Sequence, residues 1–401
     1  MYLTHLSLTN FRNFTRLDIR VPRRAVLLQG ANAQGKTSVL EAVYFLATFA
    51  SFQTHADRQL VNFLAARETR AFAKIVAEYQ RGMTSHRLDV RLILEPVGVN
   101  GQRLRKEIRM DGVKRQLNEV IGHFNAVLFI PQMTMIIEGG PEERRRYLNL
   151  TLAQTFPGYA AALGDYARAL DQRNALLKLL ADRGGDPGQL DIWDETLASH
   201  GARLVHWRIT AIQELEREAA RTHHRLTHGS EVLRLVYLPA FEPASRPEGQ
   251  FSLPMDIAVD RSGLGLEDIR QGFVAQLKRL RTEEITRGVT TIGPHRDDMR
   301  FLANGMDLGD FGSRGQIRTA LLAIKLAEVA WMKGHTDQHP VILLDEVMAE
   351  LDLQRRQDLL AAVEESEQCL LTTTDLKLFS PDFVEKSVRW EVAAGKIKTE
   401  E

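Results

Sequence analysis

Apolar and polar residues alternate over the first part of the chain. Leu6 and Leu8 sit between polar neighbours, and Leu17, Ile19 and Val21 repeat the period of two, which predicts strands. Ala25 to Leu28 is continuously apolar and stops at Gln29 and Gly30, the pattern of a buried strand. From Thr37 to Phe49 the period lengthens. Val39, Leu40, Val43, Tyr44 and Leu46 share one broad face, which predicts a helix. Residues 71–116 return to alternation through Ala73, Ile75 and Ala77 and through Leu88, Val90, Leu92 and Leu94, with turn signals at Gly98, Asn100 and Gly101.

The middle of the chain is different. From about 142 to 229 it is rich in Ala, Leu, Arg and Glu, and Trp193, Leu197, Leu204, Trp207, Ala211 and Leu215 recur as a helix seam. The segment from Asp182 to Gly188 interrupts this pattern with Gly and Pro, so two long helices folded back on one another are expected. A tract at 239–254 carries four prolines and reads as loop, and 264–287 is helical again. The last part alternates: a helix at about 315–333, a strand from Val341 to Leu344, a helix at about 353–364 and a strand from Gln368 to Thr372.

Composition narrows the class. The chain has 401 residues, of which 44% are hydrophobic, enough for a sizeable core. Lys and Arg number 52, as do Asp and Glu, so the formal net charge is zero. A uniformly basic coat for nucleic acid is excluded, whereas a basic patch on one face is not. The single cysteine rules out a disulfide framework and a cysteine-built zinc site. No apolar run approaches membrane-spanning length, and the N-terminus lacks a signal-peptide pattern. The expectation is a soluble cytoplasmic protein.

Candidate chemistry begins at Gly30, Ala31, Asn32, Ala33, Gln34, Gly35, Lys36 and Thr37, followed by Ser38. This is the phosphate loop G-x-x-x-x-G-K-[ST] between a predicted strand and a predicted helix. Its backbone N–H groups wrap a phosphate, Lys36 reaches the β- and γ-phosphates and the Thr37 hydroxyl meets Mg²⁺. Far along the chain, the strand from Val341 ends in Asp345 and Glu346. The first carboxylate suits Mg²⁺, and the second suits a general base that polarises the attacking water. Roughly 300 residues separate these halves of one site. That arrangement resembles the ABC-type heads of SMC-like proteins. Ser313, Arg314, Gly315 and Gln316 open a helix shortly before the acidic strand, as an anion cradle or as an ordinary Ser N-cap.

Five stretches together resemble the RecF family of bacterial replication and repair ATPases. They are Asn10 to Phe14, Phe129 to Asn149, Thr291 to Asp298, Ser313 to Glu328 and Leu343 to Asp352. Two positions depart from the family pattern: Gln132 replaces an acidic residue and Ile317 replaces a second glutamine. The resemblance implies an α/β fold, an ABC-type P-loop ATPase head split in sequence with an inserted α-helical arm or lobe. The expected parts are 1–141, the N-terminal head with the P-loop; 142–287, the mainly helical insertion; and 288–401, the C-terminal head. It also implies ATP and Mg²⁺ as cofactors and an ATP-dependent homodimer in which Ser313 to Gln316 grip the nucleotide of the other copy. Hydrolysis would run slowly through Lys36, Asp345 and Glu346.

Further roles follow only from the resemblance. Arg12 touches nucleotide phosphates, or is a surface arginine after a strand. Gln132 is a Q-loop candidate, or a loop glutamine. Glu350 and Asp352 belong to a D-loop, or start a helix. Thr374 stands where a switch histidine is usual. The implied partners are double-stranded or gapped DNA and RecR, with RecO and RecA indirectly, and no membrane. Arg103 to Lys106, Arg144 to Arg146 and Lys278 to Arg281 are candidate DNA-backbone contacts, or solvated faces paired with neighbouring Glu. His223, His224 and His228 read as solvated helix-end residues rather than metal ligands, and His295 as structural or signalling. Two other classes stay in view: a transporter-type or other SMC-like ABC ATPase subunit, and an adaptor in which ATP is only a conformational ligand.

Overall fold

Strand Tyr2–Phe11 pairs antiparallel with Phe14–Arg20 on one side and Phe72–Arg81 on the other. The sheet continues through Thr84–Val97, Gly101–Met110 and Val113–Arg115, all antiparallel. Alternate residues of the central strands are driven inward, including Leu6 and Leu8, Ile75 and Ala77, and Val90 and Leu92. The structure is a computed structural model that describes residues 1–54, 56–68, 71–97, 101–243, 261 and 263–399. The expected turn at Gly98 and Asn100, and the proline tract beyond residue 243, lie outside the described residues.

The described residues divide into two compact units, 1–133 with 325–401, and 134–324. The expected boundaries, 141/142 and 287/288, differ from these. The second unit has a small antiparallel sheet of its own, in which Leu233–Leu238 pairs with Asp298–Ala303 and so ties residues beyond 287 to the helices.

The first unit also holds a sheet with the order Lys396–Thr399, Val388–Ala393, Ala25–Gln29, Cys369–Thr373, Val341–Asp345, Ala126–Phe129. All neighbours except the first pair are parallel. Parallel strands covered on both faces read as continuous apolar runs, and Val26 to Leu28, Val341 to Leu344 and Cys369 to Leu371 are buried accordingly. Helix Lys36–Thr48 packs on this sheet through Val39, Leu40, Val43 and Leu46.

In the second unit, helix Asp191–Leu226 has 36 residues and is therefore about 54 Å long. It packs against Tyr159–Arg183 and Leu266–Arg287. The expected reversal is a left-handed pair, Gly184 (φ 70°) and Gly185 (φ 135°), followed by a short 3₁₀ turn Pro187–Leu190. Leu197, Leu204, Ala211 and Leu215 form the buried seam, while Trp193 and Trp207 are half-buried at its margin.

This unit buries ion pairs as well as apolar residues. Arg173 reaches Asp194 at 2.7 Å and Glu284 at 2.8 Å, with all three fully buried. Arg208 donates to Asp297 Oδ2 at 2.8 Å, to the Pro294 carbonyl at 2.6 Å and to Asn149 Oδ1 at 3.0 Å. His295 accepts or donates at Nδ1 against the Tyr166 hydroxyl, 2.7 Å away, and burial pulls its ring down to about 4, so it is neutral at physiological pH. The Gly-Pro-His-Arg-Asp-Asp stretch is thus a polar keystone of the unit. His223 is fully buried, 3.6 Å from Glu231, and not solvated as expected; His224 and His228 are exposed. Among the described residues no helix is long and apolar enough to cross a membrane.

Removing one partner of a buried ion pair leaves a desolvated charge, at about 3–5 kcal/mol. Arg208→Ala is expected to lower the unfolding free energy of this unit by that amount and so to move its chemical unfolding to lower denaturant. The shift is readable in the fluorescence of Trp193 and Trp207. An unchanged transition would remove Arg208 from the keystone role.

Candidate nucleotide site

The turn between the first two strands, Arg12 and Asn13, comes to the phosphate loop. Phe11 pairs with Phe14, and Arg12 takes a left-handed φ of 53°. The Asn13 amide donates to the Gln34 carbonyl at 3.0 Å. On the other side, Gln34 Oε1 accepts from Ala394 N at 2.7 Å and the Gln34 carbonyl from Gly395 N at 3.2 Å. Loop residue Gln34 is thereby held between the N-terminal hairpin and the C-terminal one.

Both motif glycines are sterically required. A Cβ at Gly30 would lie 2.3 Å from the Val392 carbonyl oxygen, and one at Gly35, where φ is 114°, would lie 2.5 Å from the Asn13 amide. Ala33 also takes a positive φ, 63°. Lys36 is buried and folds back over the loop, donating to the carbonyls of Gly30 at 2.8 Å and Ala31 at 3.1 Å.

The distant half of the site arrives by strand pairing. Asp345 is in register with Thr372, and Thr373 with Gln29. Asp345 Oδ1 accepts from the Thr37 hydroxyl at 3.0 Å and from the Thr372 hydroxyl at 2.7 Å. Burial pushes the Asp345 carboxyl above its usual range, the two hydroxyls pull it partly back and the Glu346 charge raises it further. Glu346 Oε1 lies 3.1 Å from Lys36 Nζ, and its backbone is left-handed at φ 53°, with its N–H bonded to the Thr372 hydroxyl at 3.0 Å. A non-glycine residue in that region carries strain of the kind that collects at functional sites.

Arg12 forms a two-pronged pair with Glu41 of the loop helix, Nε to Oε2 and Nη2 to Oε1, both at 2.6 Å. Its Nη1 donates to the Gln59 carbonyl at 3.1 Å. Glu41 is fully buried and also accepts from the Ser51 hydroxyl. A cavity of about 680 Å³ is lined by Arg12, Asn13, Asn32, Ala33, Gly35, Lys36, Thr37, Ser38 and Glu346, together with Gln53, Gln59 and Val61 to Leu64. That volume lies within the range of ligand pockets.

The other expected residues are placed as follows. Gln132 is exposed in a 3₁₀ turn after the edge strand and does not line the cavity. Thr374 is exposed beyond the end of its strand, and it is Thr372 that touches Asp345. Asp352 caps helix Leu353–Glu364, its Oδ1 accepting from Arg355 N at 2.9 Å, and Glu350 is exposed just before it. Ser313, Arg314 and Gly315 are exposed at the start of helix Arg314–Thr336. Ser313 and Gln316 cap that helix reciprocally, at 3.0 and 3.3 Å, and Gln316 Nε2 donates to Glu231 at 2.8 Å.

Of the basic runs, Arg144 is bound two-pronged to Asp298, and Arg145 donates to the Asp297 carbonyl. Arg105 pairs with Glu95 and Glu107, Lys106 with Asp57, and Arg281 with Asp191 and Asp194. Arg103, Lys278 and Arg279 are exposed. The contributions of Glu41, Gln59, Asn62 and Thr372 carry no motif of their own in the sequence, whereas Asn13 lies within the Asn10 to Phe14 stretch.

A phosphate loop at the end of a central parallel strand, with paired carboxylates reaching it from a strand two places away, defines a P-loop nucleotide-binding head. Residues 2–392 match the family described as RecF/RecN/SMC N terminal domain. Relatives named DNA replication and repair protein RecF are 38% identical in Chloroflexus aggregans and Roseiflexus castenholzii and 34% identical in Lacticaseibacillus casei; each match covers 99% of both chains. The chain belongs to the RecF family. A solved structure of the recombination mediator protein RecF-ATP in the RecFOR pathway is similar at a TM-score of 0.81 and 29% identity, covering 100% of this chain and 99% of that one. An Smc head domain from Pyrococcus furiosus shares the fold at a TM-score of 0.51 and 14% identity, over 100% of this chain and 96% of that one.

The raised Asp345 carboxyl has a thermodynamic sign. A carboxyl whose folded pKa lies above its unfolded value favours the folded state when protonated and disfavours it once ionised, so its contribution to stability falls as pH rises through that range. Asp345→Asn keeps an acceptor for both threonine hydroxyls and removes the charge. Its thermal midpoint at pH 7 is expected to equal or exceed that of the unsubstituted protein. A lower midpoint would show that the carboxylate charge itself holds the site together.

Proposed function

We propose that the protein is an ATP-dependent DNA-binding clamp of recombinational gap repair. The observation that carries this reading is the meeting of Thr37 with Asp345 and of Lys36 with Glu346, where Lys36, Thr37 and Glu346 line one cavity. Family membership supplies the repair setting.

In this reading, ATP phosphates enter the loop and draw Lys36 away from the Gly30 and Ala31 carbonyls and from Glu346. Glu346, held by its left-handed backbone, is then released to accept a proton from the attacking water. The Thr37 hydroxyl and the Asp345 carboxylate are hard oxygen donors of the kind Mg²⁺ takes alongside substrate phosphates. Thr37 and Asp345 would hold the ion, and when bound it would supply positive charge against the phosphates. Thr372 fixes the orientation of Asp345 and the position of Glu346 N together. Arg12 has N–H groups to offer a phosphate beyond the bonds that anchor it to Glu41.

The exposed start of helix Arg314–Thr336 supports a role in trans: Ser313 to Gln316 of a second copy would close over the γ-phosphate, with Glu350 and Asp352 at the junction of the copies. The resulting dimer would grip double-stranded DNA near a single-strand gap through its phosphates and act with RecR, and indirectly RecO, in loading RecA. Hydrolysis would be slow and would release the DNA.

Light scattering with and without ATP, together with DNA retention on gapped, duplex and single-stranded substrates at two salt concentrations, tests this reading. ATP is expected to produce the dimer and to raise retention. A protein that stays monomeric with ATP and retains no DNA would sink it. Glu346→Gln is expected to slow ATP turnover by about 10²-fold or more and to prolong the dimer. Unchanged DNA release in that variant would favour the adaptor reading, with turnover dispensable.

Thr372→Val and Thr374→Val separate the two candidate switch threonines. Turnover is expected to drop at least severalfold in the first and to change little in the second. The reverse pattern would return the switch role to Thr374.

A further inference from the structure

The turn that opens helix Arg314–Thr336 is not held by its own residues alone. Ser313 N donates to Gln316 Oε1 at 3.0 Å, and Gln316 N donates to Ser313 Oγ at 3.3 Å. The other half of the Gln316 amide is bound from outside the turn, where Nε2 donates to Glu231 Oε1 at 2.8 Å. A side-chain amide has one accepting and one donating end. A flipped Gln316 would set its oxygen against the Glu231 carboxylate and its NH₂ against the Ser313 N–H. The carboxylate therefore fixes which way the amide points, and the amide fixes Ser313.

Glu231 is itself held. It lies in the short link between helix Asp191–Leu226 and strand Leu233–Leu238. Next to it, Val232 N donates to Asn304 Oδ1 at 2.9 Å, and Asn304 N donates to the Val232 carbonyl at 3.0 Å. Oε2 of Glu231 lies 3.6 Å from Nε2 of His223, which is fully buried in the last turn of the long helix. The approach to Ser313 is set as tightly: a Cβ at Gly312 would lie 2.5 Å from the Leu308 carbonyl oxygen.

This arrangement keeps particular groups available. Ser313 is exposed and its Oγ accepts from Gln316 N, so the hydroxyl proton is left to donate. The N–H groups of Arg314 and Gly315 belong to the first turn of the helix, where no intrahelical carbonyl serves them. A hydroxyl and the first N–H groups of a 23-residue helix together suit a phosphate.

We propose that Glu231 is the positioning residue of this turn: by fixing the Gln316 amide, it holds Ser313 and the first helical N–H groups in the geometry that receives the γ-phosphate bound to a second copy. The proposal rests on the clamp reading, in which this turn acts in trans, and Glu231 touches no nucleotide in it. A hydrogen bond to a charged group is strong enough that losing it weakens what depends on it by about tenfold or more.

The test is ATP turnover by the full-length protein, unsubstituted, as Glu231→Ala and as Glu231→Gln, and by an equal mixture of Glu231→Ala with Glu346→Gln combined before ATP is added. Light scattering follows dimerisation of the unsubstituted protein alongside. Glu231→Ala is expected to lose turnover about tenfold or more, and Glu231→Gln, which keeps an acceptor for Gln316 Nε2, to stay within about threefold of the unsubstituted rate. The mixture is expected to turn over severalfold faster than the sum of its components measured apart. A mixed dimer unites the intact loop and Glu346 of one copy with the intact Ser313 turn of the other, a rescue that a folding defect would not show. If the unsubstituted protein dimerises with ATP and turns it over, three outcomes would overturn the proposal and leave the clamp reading standing: unchanged turnover in Glu231→Ala, equal loss in both Glu231 variants, or a mixture no faster than its components. An unsubstituted protein that neither dimerises with ATP nor turns it over would overturn the clamp reading itself.

Discussion

The site exists only because strand Cys369–Thr373 lies between Ala25–Gln29 and Val341–Asp345 in parallel register. That pairing sets Thr372 beside Asp345 and Thr373 beside Gln29, so residues from three remote parts of the chain end at one level of the sheet. A slip of one residue would turn Asp345 and Thr372 to the opposite face and leave Thr37 without its carboxylate. The unbroken apolar runs of these strands are what prevent the slip, because burial on both faces gives each residue a defined depth. Core packing and phosphate chemistry are therefore one constraint.

Much of this could be read along the chain. The phosphate loop is legible because its demands are local: left-handed glycine at Gly35, close backbone approach at Gly30, and a lysine and threonine opening a helix. The acidic strand, the capped start at Ser313 and the long helices with their Gly-Gly reversal are legible for the same reason. Thr372 and Thr374 could not be distinguished without the register that decides which hydroxyl meets Asp345. Asn13, Glu41 and Asn62 gain their roles from partners that carry no fixed sequence spacing. The keystone of the second unit was hidden in the same way, since Arg208 is a helix residue like many others until Asp297 is folded against it.

The basic runs show how charge in sequence and charge in space diverge. Arg144, Arg105, Lys106 and Arg281 are all committed to carboxylates within their own chain. Of the same runs, Arg103, Lys278 and Arg279 stay exposed. Electrostatic attraction by exposed cations of this kind is strongly attenuated by salt.

The lone cysteine gives the protein a practical property. Cys369 lies in the central strand with no exposure, and burial pushes its thiol well above the ordinary range, so little of it is thiolate. Thiol reagents react with the thiolate. The folded chain is thus a silent background for site-directed labelling, in which a cysteine introduced at a chosen surface position would be the sole point of attachment. A spin label or fluorophore placed near the start of helix Arg314–Thr336 would test whether two copies approach there, without any need to replace the native thiol.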